Sequence, residues 1–187
     1  MATTPTRSSG APDPGSTASP AAPGLDAAAP STGAQALATP AQIMELAEHL
    51  SACADQLHER IMRDIRAYAG GPVPEHVQAA ARALFDDEVL LRQRANGLHA
   101  DAATYIVKGL GKQQAHLVKL TTDAAEKIRK IGVIGEAAGL VGSLLALAGA
   151  AATGQPVAIL AAIDKVQKHG KALDALKPKA KPPAKAG

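Results

Sequence analysis

The chain has 187 residues, a net charge of +3 and an aromatic content of only 2%, with no tryptophan. Its apolar fraction of 47% comes mostly from alanine, leucine, isoleucine and valine, which suits thin helix-on-helix packing and argues against an enzyme cleft lined by aromatic rings. A single cysteine, Cys53, excludes an intrachain disulfide framework.

The charge is unevenly placed. Residues 1–40 carry −1, residues 41–130 are balanced, residues 131–164 carry −2 and residues 165–187 carry +6. The basic character therefore belongs to the C-terminal tail rather than to a folded face. Residues 1–39 are built from Ala, Pro, Ser, Thr and Gly and are expected to be disordered, because they have little apolar surface to offset ordering entropy. No basic segment leads into an apolar run there, so a secretory signal peptide is not expected. A leaderless export signal of Ser/Thr/Pro-rich type fits that composition.

The first helix is expected over about 40–69. Thr39 is placed to cap it, and Pro40 occupies the first turn. Ile43, Leu46, Leu50, Cys53, Leu57, Ile61, Ile65 and Tyr68 recur at spacings of three and four, which defines one apolar face. Cys53 lies on that face and is expected to be buried. Gly70, Gly71, Pro72 and Pro74 stop the helix.

A long second helix is expected over 75–131. Val77, Ala81, Leu84, Leu91, Ala95 and Leu98 mark its seam, which Glu88 interrupts. The rhythm slips by one residue to Ile106, Leu110, Leu117, Leu120, Ala124 and Ile128. Gly109 and Gly111 sit at the slip, so a kink, stutter or full break is expected at 109–111. A short connection would place these two helices antiparallel.

Residues 137–163 form 27 consecutive positions without a charge. Gly132, Gly135, Gly139, Gly142, Ala146, Gly149 and Thr153 recur at three and four, placing the small residues on one helical stripe. Gly135 and Gly139 make a GxxxG pair. Each glycine costs an exposed helix about 1 kcal/mol, so a neighbouring backbone is expected to use the groove, as in lipid-embedded helix pairs. Leu140, Leu144 and Leu147 belong to the same packing or membrane-contact set. Thr153-Gly154-Gln155-Pro156 signals a turn, after which Val157 to Ile163 lead into an amphipathic return helix. The eight Leu, Ile and Val residues of 131–147 contribute roughly −2 to −5 kcal/mol towards insertion, opposed by up to ~3 kcal/mol from Glu136. Lys127, Arg129 and Lys130 before the hairpin, and Lys165, Lys168 and Lys171 after it, suit an anionic membrane surface.

The expected fold is all-α: an antiparallel helical hairpin or bundle with a long second helix, a C-terminal Gly/Ala-rich apolar helical hairpin, and disordered N- and C-terminal tails. Residues 40–131 form the amphipathic scaffold. Residues 132–176 form the apolar hairpin and return helix, and residues 177–187 a basic tail. A long helical region followed by such a hairpin, over residues 75–165, is similar in organisation to α-helical pore-forming toxins and type III secretion translocators. That similarity is architectural and implies conditional membrane contact.

No catalytic, cofactor-binding or metal site is expected. Glu45, Glu48, Asp55 and Glu59 lie opposite the apolar seam of the first helix, and His49 and His58 fall on different edges of it. Asp86, Asp87 and Glu88 read as an exposed acidic knot. Lys177, Lys179, Lys181 and Lys185 offer only sequence-independent contact to polyanions, so nucleic acid is not an expected partner. The expected partners are a second copy of the chain, another helical protein or an anionic lipid membrane. Two functions follow: a non-enzymatic membrane-interacting protein, secreted without a leader or membrane-associated, or a self-associating helical bundle with a structural or adaptor role and no membrane contact.

Overall fold

The computed structural model describes residues 35–176; the disorder and export signal expected within residues 1–34 and the basic tail expected at 177–187 lie outside them. The described residues are all-α, with five α-helices and no strand: α1 Pro40–Arg66, α2 Glu75–Ala100, α3 Gln114–Lys130, α4 Ala138–Thr153 and α5 Pro156–Leu176. A short 3₁₀ turn, Ile134–Ala137, precedes α4.

α1 begins as its sequence dictates. The Thr39 hydroxyl accepts from Gln42 N–H, the Gln42 side chain accepts from Thr39 N–H, and Pro40 fills the first turn. Its apolar stripe from Ile43 to Ile61 is buried, Cys53 included. α2 and α3 flank α1. α2 returns antiparallel, whereas α3 runs parallel to α1, with Gln114 bonded to Gln42 and Arg63 to Arg129. α4 packs on α2 and α5, and α5 closes the circuit against α3.

The expected 75–131 helix is two helices. Residues 101–113 leave helical geometry altogether, and Gly109 (φ +76°) and Gly111 (φ +69°) take left-handed conformations that favour glycine. The segment just before α1 accounts for the break. Ala36 N–H donates to Lys112 O at 2.7 Å, and Val107 N–H donates to Leu37 O at 2.8 Å. Leu37 is fully buried at φ +58°, a left-handed conformation costing about 1–2 kcal/mol in a non-glycine residue. Composition placed Ala36 and Leu37 in the tail, yet both are core residues. Buried Gln114 completes the junction: its Oε1 accepts from Leu37 N–H, and its Nε2 donates to Gln42 O and to Glu45 Oε2.

Candidate interaction surface

α4 carries the feature that composition singled out. Its large side chains point inward: Leu140, Val141, Leu144 and Leu147 are at most 1% exposed. The small residues of the stripe point outward, with Gly142, Ala146 and Thr153 exposed and Gly149 half-buried, whereas Ala148 and Ala151 are buried with the leucines. This division follows from area, since burying leucine stabilises more than burying alanine or glycine. The hydroxyls do not disturb it, because Ser143 donates to Leu140 O and Thr153 to Ala150 O within the helix. Gly154, at φ +66°, ends α4 in the left-handed conformation of a helix C-cap, and Pro156 starts α5.

The stripe is shorter than its spacing suggests. Gly132 lies in the linker after α3 and Gly135 in the 3₁₀ turn, so the Gly135–Gly139 pair straddles a change of helix type. Among the described residues, Gly139 alone of these glycines meets a neighbour. A Cβ there would lie 2.6 Å from His169 Nδ1 and 2.9 Å from its Cε1, whereas Cβ atoms at Gly132, Gly135, Gly142 and Gly149 would meet nothing within 4 Å. Gly139 thus belongs to the α4–α5 seam, and the open small-residue face is Gly142, Ala146 and Gly149. Alanine at Gly139 is expected to gain nothing, because the ~1 kcal/mol of helix propensity is spent turning the imidazole away. In a His169→Ala background the same change is expected to stabilise by that amount. Thermal unfolding of the four proteins checks this; an equal gain in both backgrounds contradicts the contact.

The charged residues serve as ties between helices. Glu88, expected on an exposed knot, is only 5% exposed. It accepts from Arg92 Nε at 2.5 Å and faces His58 Nδ1 at 3.2 Å, while Arg92 reaches Asp55 at 2.7 Å. The hydrogen bond that Arg92 donates to Glu88 raises the Arg92 pKa, partial burial opposes the rise, and Asp55 reinforces it. The His58 ring meets Phe85 edge-on at 5.8 Å. Asp55 and His58, although both exposed, therefore each reach a partner on α2, and periodicity gave no sign of these partners. Asp87 is held above the usual carboxylate range by burial and by Asp86. Burial pushes the Cys53 thiol up to about 12, partly opposed by the Ala125 N–H, which keeps it protonated and inert at neutral pH. Among the described residues no group of three His, Cys, Asp or Glu side chains is placed to hold a metal ion.

The stretch Ile134–Thr153 is long and apolar enough to cross a bilayer by length and composition, and half of it is buried inside the bundle. No family model matches the chain, and no curated protein or solved structure matches it either. Fold and surface together define a helical protein with, among the described residues, one candidate apolar helix.

Proposed function

We propose that this chain is a non-enzymatic helical protein that acts by self-association, with the outer face of α4 as its contact surface. The observation that carries this reading is the open face of Gly142, Ala146 and Gly149, with nothing within 4 Å of a Cβ at either glycine. Alanine would fit both glycine positions and favour the helix by about 1 kcal/mol each. A helix that forgoes that gain, on a face without charge, suits the close approach of a second backbone. Among the described residues no helix covers this face, which suits an external partner, and a second copy provides a matching groove. Sedimentation equilibrium of the full chain is expected to show a concentration-dependent dimer. The Gly142→Leu/Gly149→Leu variant is expected to be monomeric with unchanged helicity. A wild-type chain that stays monomeric at all concentrations, or a variant that still dimerises, rejects the reading.

A second reading, conditional membrane insertion, is favoured by the 20-residue apolar stretch Ile134–Thr153. Leu140, Leu144 and Leu147 face the core, so insertion requires α4 and α5 to leave the bundle. Protein that floats with vesicles and survives an alkaline carbonate wash supports this second reading.

A further inference from the structure

Where α1 and α3 begin and α2 ends, residues 35–38 and the connection 101–113 hold each other. Residues 106–112 make backbone hydrogen bonds to this strap and, among the described residues, to no other backbone. Val107 N–H donates to Leu37 O at 2.8 Å, and Lys112 O accepts from Ala36 N–H at 2.7 Å. On the outside Gln35 faces Gln113 in an isolated antiparallel bridge. With its amide oxygen turned to the loop, Gln35 also accepts from Gly109 N–H at 3.2 Å and Leu110 N–H at 3.0 Å. On the inside Leu37, Val107 and Leu110 are at most 2% exposed. Strap and loop are thus each ordered by the other, and neither has a helical ladder of its own. Leu37 sits at φ +58°, a left-handed conformation that opposes its burial and relaxes on release. Gly109 and Gly111, both left-handed, flank Leu110 and give the loop two points of backbone freedom outside α2 and α3.

We propose that residues 35–38 and 106–112 form a latch that opens as one unit while the five α-helices stay folded. Closed, the latch buries Leu37, Val107 and Leu110 in the core. Open, it presents these three side chains together at one end of the bundle. Elements held by few contacts and few hydrogen bonds open at a lower cost than the core they cover. A connection of about a dozen residues without helix or strand is uncommon in a compact domain, and such loops are typically lids or binding segments. The latch lies at the start of α1 and works independently of association through α4.

Amide hydrogen exchange of the full chain, followed by NMR, tests it. In the wild type the Ala36 and Val107 amides are expected to share one protection factor, ~100-fold below that of the Leu50 amide within α1. Gln35→Cys/Gln113→Cys then places a disulfide across the bridge, where antiparallel Cα atoms lie within reach of one. Both positions are exposed, and Cys53 is buried away from them. The reduced variant is expected to keep the gap between Val107 and Leu50. In the oxidised variant the latch cannot open, so Val107 exchanges only when the bundle unfolds, and the gap is expected to shrink at least ~10-fold. A wild-type Val107 amide as protected as Leu50 overturns the proposal, because the segment then opens only with the whole bundle. Protection factors of Ala36 and Val107 that differ by more than ~10-fold overturn it as well, since the two would not open together. A gap that survives oxidation unchanged overturns it too.

Discussion

Replacing Arg60 by alanine is expected to cost the fold about 3 kcal/mol, at the lower end of what removing one partner of a buried ion pair costs. Arg60 lies near the C-terminal end of α1 and is only 7% exposed. Its Nη2 donates to Gly132 O at 2.8 Å and pairs with Asp64 Oδ1 at 2.5 Å, while Asp64 Oδ2 accepts from Ile134 N–H at 3.2 Å. One guanidinium and one carboxylate thus clamp α1 to the linker that leads into α4. Alanine strands the Gly132 carbonyl, leaves Asp64 unpaired and removes the packed aliphatic stem. Two facts keep the loss at the lower end: the Asp64 side chain is 19% exposed and rehydrates, and Arg60 Nε has no partner to lose. Arg60→Ala/Asp64→Ala should cost less than the two single changes combined, since each single change strands the other's charge. Urea unfolding followed by circular dichroism measures all three. An Arg60→Ala protein within about 0.5 kcal/mol of wild type, the usual range for an inert surface change, would mean the linker is not held there.

That clamp also marks where sequence periodicity stops being informative. The apolar face of α1 was legible because a single helix against a core imposes a three–four spacing, and Ile43, Leu46, Leu50, Cys53, Leu57 and Ile61 are all buried. The position of Glu88 on the α2 seam was legible for the same reason. Its role was not, because His58, Arg92 and, through Arg92, Asp55 combine two helices whose relative rotation no single-helix pattern contains. The break before α3 was signalled by Gly109, Gly111 and the phase slip. Its extent depends on Leu37 and Gln114, which lie 77 positions apart and meet only in the fold. Periodicity put Gly139, Gly142, Ala146 and Gly149 on one side of a helix but did not say which side faces out. Burial of the opposite leucines decides that, and His169 separates Gly139 from the rest.

A chain ending at Lys130 is expected to lose cooperative folding. α4 and α5 bury Leu140, Val141, Leu144, Leu147, Ile159, Ile163, Val166 and Leu173. At roughly 1.5–3 kcal/mol per side chain these amount to about 12–24 kcal/mol, an upper bound because the unfolded chain is already partly compact. A whole domain keeps only about 5–15 kcal/mol of net stability. Topology sharpens the expectation. α2 and α3 each pack on α1 but scarcely on each other, and α4 with α5 supplies the missing side by joining α2 to α3. Removing that pair leaves an open layer with uncovered apolar faces. Truncated protein should show a reduced helical signal per residue and a broad, non-cooperative thermal transition. A truncated chain with full helicity and a sharp melt would identify α4 and α5 as a detachable module. Since insertion requires that pair to leave the bundle without destroying it, such a result would move the balance from self-association to the membrane.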